Sequence, residues 1–205
     1  MWPAQLREGD LVLRALRRRD SAEWGRVRAL NAAWLAPWEA TVPAESSYQP
    51  LTFNRYVREL AAQTRAGTSR PWVMEYRGAI VGQVTVSSIT HGSLSSAAIG
   101  YWISREVAGQ GLTPLAVAMA VDDCFFTLGL HRVEINIRPE NAASLRVVAK
   151  LGLRDEGLRK AYLNIQGRWA DHRTFALTVE EAPGGLLPRA RTLRANAADS
   201  LGSAG

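Results

Sequence analysis

Cysteine, histidine and lysine are scarce in this chain. One cysteine (Cys124), three histidines (His91, His131, His172) and two lysines (Lys150, Lys160) occur in 205 residues. A single cysteine excludes an intrachain disulfide framework. Cys124 lies in an apolar helical run, where a small buried hydrophobe is the expected role and a nucleophile the alternative. No His/Cys cluster and no carboxylate pair has metal-ligand spacing, so no metal is expected. No apolar run reaches transmembrane length, and residues 1–13 lack an apolar core of signal-peptide length. A cytoplasmic protein without a membrane partner is expected. Because lysine is rare, the net charge of +6 is almost all arginine. That bias reflects either overall composition or attraction to an anion such as a phosphorylated cofactor, an acidic peptide or RNA, and charge alone does not choose.

One stretch organises the rest. Residues 99–113 read IGYWISREVAGQGLT. An apolar, aromatic run of strand type (Ile99, Tyr101, Trp102, Ile103) passes through Ser104, Arg105 and Glu106 to Gly109, Gln110 and Gly111. A long apolar run begins at Leu112. Strand, glycine turn and helix N-terminus together form an arrangement suited to phosphate, because the first helical turn has N–H groups without internal partners and the helix dipole favours negative charge. The plainer alternative is a strand–helix turn that needs two glycines for its geometry.

Along the chain, residues 11–16 read as a strand. Asp20 and Ser21 suit the N-cap of a helix carrying Trp24, Val27, Leu30 and Trp34, ended by Pro37. Trp34 and Trp38 lie in or beside a Pro-bounded loop over residues 36–50, which also holds Tyr48. They either line a pocket or plug a core edge. A second helix covers residues 52–66. A meander of three strands follows, with turns at Arg77-Gly78 and His91-Gly92-Ser93. Residues 112–128 form a third helix, apolar almost all round except for Asp122 and Asp123, which predicts burial against a sheet. Val133, Ile135 and Ile137 alternate with polar residues in another strand. Asn141 can cap a fourth helix that ends at Gly152, and strands at 162–165 and 174–179 close the order. The fold class is mixed α+β, with a central sheet and helices on its faces. Residues 1–181 read as the domain and 182–205, rich in Pro, Gly, Ala and Arg, as an aperiodic mobile tail.

Three segments carry a resemblance: GYWISREVAGQGL (100–112), GLHRVEINIRPENAASLRVVAKLGLRDEG (129–157) and AYLNIQGRWADHRTFAL (161–177). Together they resemble the GNAT acyltransferase superfamily, and more narrowly its RimJ/RimL-type protein N-terminal acetyltransferases. The resemblance implies a mostly antiparallel twisted sheet with a V-shaped splay between the family's fourth and fifth strands, and acetyl-CoA as acyl donor. It further implies that pantetheine lies along the backbone of Trp102, Ile103 and Ser104, and that the pyrophosphate sits on Gly109, Gln110, Gly111, Leu112 and Thr113. Asn141 would hydrogen-bond pantetheine and Ser144 would be the donor on the thiolate side. Read without the resemblance, these two are an ordinary cap and an ordinary first-turn residue. One position departs from the family's loop: Glu106 stands where Arg or Gln is usual. Glu106 is expected to face solvent, with Arg105 supplying any positive charge.

Acyl transfer to an amine needs a proton acceptor and a donor for the leaving thiolate. Many relatives place an acid on the fifth strand. Here Asn136 occupies that position, and Glu134 lies two residues earlier on the same face. Glu134 is the candidate base, through water, against the alternative of an ion-paired carboxylate. Tyr162 is the candidate proton donor, against a structural tyrosine. The acceptor implied by the resemblance is a protein or peptide N-terminus, in the type case a ribosomal protein, with Trp34, Trp38 and Tyr48 as one wall of its groove. The alternatives are a small amine, such as a polyamine or aminoglycoside, and a non-catalytic acyl-CoA-binding or ribosome-associated module. The loop offers only Glu39 and Glu45 to a polycation, which favours peptide. RNA contact through the arginines is a secondary expectation, and the chain is expected to be a monomer or homodimer.

Overall fold

A computed structural model describes residues 5–43, 46–47 and 49–202, with side chains to residue 196. Eight strands form one sheet in the order β1-β2-β3-β4-β5-β6-β8-β7. They are β1 (Leu6–Glu8), β2 (Leu11–Arg14), β3 (Arg70–Tyr76), β4 (Ala79–Thr90), β5 (Ser96–Ile103), β6 (Arg132–Ile137), β7 (Arg154–Ile165) and β8 (Arg168–Thr178). Every neighbouring pair is antiparallel except β5 and β6. The expected meander is β3-β4-β5, and the parallel step between β5 and β6 is made by helix α4 (Leu112–Asp122). The expected mixed α+β sheet with helices on both faces is present.

Helices α1 (Ser21–Leu30), α2 (Ala32–Leu35) and α3 (Phe53–Arg65) belong to one face, where Trp24, Phe53, Tyr56, Val57 and Leu60 pack on Leu16, Val73 and Ile80. The other face carries α4 and α5 (Ala142–Leu151) over a larger core that includes Leu13, Trp72, Val84, Ile99, Leu115, Val133 and Leu151. The sequence predicts one helix from Ser21 to Pro37, but the structure breaks it at Asn31. That side chain is drawn into long-range hydrogen bonds, accepting from the Arg105 N–H (2.8 Å) and donating to Ser104 Oγ (3.1 Å). Asp20 precedes α1 without capping it. Its carboxylate instead accepts from the buried Arg14 guanidinium (2.8 Å) and from the Arg17 N–H (2.7 Å).

The C-terminal segment departs most from expectation. Where the sequence predicts an aperiodic mobile tail, residues Leu187–Gly202 form a helix, α6. Its first half docks along α4, with Leu186 and Ala190 buried. This docking explains why α4 is apolar all round: one side meets the sheet and α5, the other meets α6. The two acids of that run each have a partner. Asp122 accepts from the N–H groups of Leu186 (2.6 Å) and Leu187 (3.1 Å), satisfying amides at the α6 N-terminus, and Asp123 pairs with Arg70 at 2.5 Å. The helix predicted to reach residue 128 leaves α geometry at Asp123 and finishes as a π-helical segment, Asp123–Thr127. Strand β7 begins eight residues before the predicted position, at Arg154 rather than Tyr162. It is the sheet edge, and its exposed charged residues hide the period-2 signal while protecting the edge from pairing.

Strands β4 and β5 leave no room for a side chain at Gly82. A Cβ there would lie 2.4 Å from the Trp102 carbonyl oxygen and 3.1 Å from Ile103 Cα, both backbone atoms that cannot swing aside. Gly82→Ala should therefore lower the unfolding free energy by about 2 kcal/mol, read as a reduced urea midpoint. An unchanged midpoint would show that the two strands separate freely.

Candidate active site

Strands β5 and β6 pair only at their beginnings, in the register Ser96↔Arg132, Ala97↔Val133 and Ala98↔Glu134. Beyond that point β5 stays on β4 as far as Ile103, and β6 stays on β8 as far as Ile137. The strands part, and the inner edge of β5 over residues 99–103 has no strand partner among the described residues. This is the expected V-shaped splay. A backbone edge left open in this way must hydrogen-bond to water or to a ligand.

The glycine turn follows directly. A short 3-10 turn (Arg105–Val107) leads to Gly109 (φ +85°) and Gly111 (φ +73°), both in left-handed conformations that favour glycine, and α4 starts at Leu112. Among the described residues, no acceptor serves the N–H groups of Gly109, Gln110, Gly111, Leu112 and Thr113. The side chains of Leu112 and Thr113 are buried, so these residues offer backbone alone. Pro114, in the first turn, forfeits nothing by lacking an N–H. Glu106 is exposed, as expected.

At the splay, Tyr101 and Ser144 meet. Alternation along β5 puts Tyr101 on the α5 face with Ala97 and Ile99, and its hydroxyl lies 2.7 Å from Ser144 Oγ. Asn141 caps α5, accepting the Ser144 N–H at 3.0 Å. Burial pushes the Tyr101 hydroxyl well above its usual pKa, so it stays protonated and able to donate. Tyr101 was legible in the sequence only as an aromatic strand residue; the period-2 count from Ile99 was the signal for its direction.

The two other candidate catalytic residues, Glu134 on β6 and Tyr162 on β7, lie on the opposite face of the sheet. Glu134 accepts from Arg132 (3.0 and 2.9 Å) through Oε1 and from Arg159 (2.8 Å) through Oε2. Both oxygens are engaged by guanidinium groups, the geometry of the ion-paired alternative. Tyr162 shares the same arginine: Arg159 donates to its hydroxyl at 3.1 Å and lies over its ring. The ring of His172, 4% exposed, meets Tyr162 edge-on at 5.7 Å, with Nδ1 3.0 Å from the Ala170 carbonyl oxygen. Asp171 closes the β7–β8 hairpin by accepting from Lys160 (2.7 Å) and the Ala161 N–H (2.9 Å).

The remaining expectations divide. Each polar group of Ser104 already has a protein partner: its N–H donates to the Val81 oxygen, its carbonyl accepts from Val107, and its Oγ bonds Asn31. Ser104 therefore belongs to the anchor of β5 rather than to the exposed edge. Trp102 turns its side chain to the α1 face, against Trp24 and Arg28, and its carbonyl oxygen faces Gly82 of β4, so the backbone groups on the open edge are those of Ile99, Tyr101 and Ile103 rather than of Trp102. Trp34 donates its indole N–H to the Ile103 carbonyl oxygen at 3.1 Å. Arg138, just past β6, lies over the Trp38 ring and donates to the Pro37 oxygen (2.8 Å). Thr41 bonds Asn164 at the end of β7. The chain from Trp34 to Thr41 is thus tied in turn to the ends of β5, β6 and β7, across the mouth of the splay. Tyr48 and Glu45 lie outside the described residues. Cys124 is fully buried, and burial pushes its thiol up to about 12, which leaves it an inert hydrophobe. Among the described residues, no group of three His, Cys, Asp or Glu side chains is placed to hold a metal, and no helix is long and apolar enough to cross a membrane.

An open strand edge, a glycine loop of unpaired N–H groups and a hydroxyl pair at the splay suit a transferase with a long, phosphate-bearing acyl donor. The comparisons agree. Residues 10–154 match the model of the acetyltransferase (GNAT) domain. The ribosomal protein uS5-alanine N-acetyltransferase of Escherichia coli is 33% identical over 181 residues, 85% of this chain and 91% of that protein. The Bacillus subtilis protein YjcK is 37% identical over 98 residues, 48% of this chain and 54% of that protein. The structure of Mycobacterium smegmatis RimJ in complex with CoA-disulfide superposes with a TM-score of 0.85 at 37% identity, covering 94% of this chain and 95% of that one. The chain belongs to the GNAT acetyltransferase family, and acetyl-CoA is its acyl donor.

One pH dependence follows from this site. Burial, with Arg138 nearby, lowers the His172 pKa below its usual value, so the folded ring is neutral. A His pKa depressed by folding means that the unfolded chain takes up the proton first as pH falls. Stability should be at its full value above the unfolded pKa of about 6.5 and decline as pH drops toward the folded value. Urea midpoints measured between about pH 7 and pH 5 should fall in the wild type and fall less in His172→Asn; equal slopes would contradict the assignment.

Proposed function

We propose that this chain acetylates the N-terminal α-amine of a protein, of the ribosomal-protein alanine or serine type, in the cytoplasm. The observation carrying this reading is the conjunction at the splay: an open β5 edge, five unpaired loop N–H groups and the Tyr101–Ser144 pair. When bound, acetyl-CoA supplies an acetyl thioester that the acceptor amine attacks directly, forming the C–N bond as the C–S bond breaks. The open edge of β5 at Tyr101 and the Ile103 N–H, and the loop at residues 109–113, would hold that donor through backbone groups. Tyr101, kept neutral by burial, shares a hydrogen bond with Ser144 Oγ in which either hydroxyl can donate; Ser144 would pass its hydrogen to the departing sulfur, and the proton shed by the attacking nitrogen would return to the hydroxyl pair through solvent. Asn141 fixes Ser144 at the first turn of α5 through its cap. Glu134 anchors Arg132 and Arg159 rather than accepting a proton, and Tyr162 packs with that cluster.

Two features favour a peptide acceptor over a polyamine. The segment carrying Trp34 and Trp38 crosses the mouth of the splay as an aromatic wall. Glu39, the acid of that loop within the described residues, is neutralised by Arg28 at 2.6 Å. The E. coli relative named above acts on an alanine of ribosomal protein uS5, which makes a protein N-terminus the first acceptor to offer.

The test is release of free thiol from acetyl-CoA with a panel of N-terminal peptides and small amines. Turnover on peptides beginning with alanine or serine is expected, with mass spectrometry placing the acetyl group on the α-amine. Turnover on small amines alone would contradict the proposal. Ser144→Ala should lower kcat by about 100-fold, and Tyr101→Phe by a smaller factor with the same sign. Glu134→Gln should retain kcat to within a few-fold while lowering the urea midpoint. A loss as large as that of Ser144→Ala would return Glu134 to the role of base.

A further inference from the structure

The glycine loop carries little positive charge of its own. Glu106 is exposed beside it, and the Arg105 guanidinium lies 6.0 Å from the centre of the Trp34 ring. Helix α6 brings an arginine to the same place. The start of α6 is held at the C-terminal end of α4 by Asp122, and Arg194 lies against Gly111 at the N-terminal end, so the two helices run antiparallel. A Cβ built on Gly111 would meet Arg194 Cγ at 3.4 Å and Arg194 Cα at 3.5 Å. The arginine is therefore rooted in van der Waals contact with the residue that opens the loop into α4.

The charge around it is already balanced elsewhere. Glu8, the acid of this corner, is held bidentately by Arg191 at 2.9 and 2.7 Å. Arg194 makes no hydrogen bond or salt bridge among the described residues: Glu8 feels its charge but is hydrogen-bonded by Arg191, and the Arg194 guanidinium rests over the Tyr76 ring at 5.7 Å. A cation–π contact at a partly exposed site is weak, whereas an Arg–phosphate pair is charge-assisted and bidentate. The side chain is thus poised to leave the ring for an anion on the loop.

We propose that α6 completes the donor site, with Arg194 pairing with a phosphate of acetyl-CoA and supplying the cation that the loop lacks. This rests on reading residues 109–113 as the phosphate-binding loop. It makes the C-terminal helix a functional element rather than an appendage, because docking of α6 through Asp122, Leu186 and Ala190 sets the position of Arg194.

Isothermal titration of the full chain with CoA and with dephospho-CoA tests the proposal without turnover. Arg194→Ala should weaken CoA binding by about tenfold or more while the ligand-free protein keeps its cooperative thermal transition, since α6 is also docked through Asp122, Leu186 and Ala190. Equal weakening for both ligands would place the contact at the pyrophosphate, and weakening for CoA alone at the 3′-phosphate; either supports the proposal. Arg194→Lys keeps the charge and should recover part of the affinity even if the alanine variant perturbs α6. Wild-type affinity in Arg194→Ala, or a lysine variant as weak as alanine, overturns the role of Arg194 while leaving the loop reading intact. Failure of the folded wild type to bind CoA overturns both.

Discussion

A β-strand paired on one side and open on the other carries backbone groups that demand a partner, and this fold is organised to keep one such edge open. Strand β5 is pressed onto β4 so closely that only glycine fits at residue 82. Its far end is tied down by Trp34 on the Ile103 oxygen and by Asn31 on Ser104 and Arg105. With β5 fixed to β4 and β6 fixed to β8, the two cannot close on each other, and residues 99–103 stay available. The glycine loop continues the same logic, with N–H groups exposed by left-handed backbone and by the start of α4.

Charge on the sheet serves the architecture more than it attracts a polyanion. Arg14 joins Asp20 and Glu75, Arg70 meets Asp123, and Arg132 and Arg159 share Glu134. These pairs join four arginines to four acids inside the fold. Arg194 stands apart by its place, against Gly111 of a loop whose own sequence supplies an acid. The acetyl donor carries the negative charge that such an arrangement suits.

Much of this was legible in the sequence, and the exceptions have physical causes. The strand–GQG–helix unit, the meander and the Asn141 cap are local patterns, and local patterns survive into the fold. Glu134 could not be judged from its own strand, because the arginine on its second oxygen, Arg159, comes from β7, across the intervening β8. Asn31 reads as an ordinary helical residue until β5 arrives to hydrogen-bond it. The C-terminal segment looked aperiodic because α6 buries small residues, such as Ala190, on an apolar helix rather than a stripe of large ones on a sheet. Strand β7 was shortened in prediction because an edge strand defended by charge does not alternate cleanly.

The central claim is that the open β5 edge and the glycine loop together receive the acyl donor. Amide hydrogen exchange, followed by NMR with and without CoA, tests it directly. The claim predicts slowed exchange on binding at the β6-facing amides of residues 99–103 and at residues 109–113, the segments whose backbone lacks protein partners. Binding that left those amides unchanged and protected another face of the sheet would contradict it.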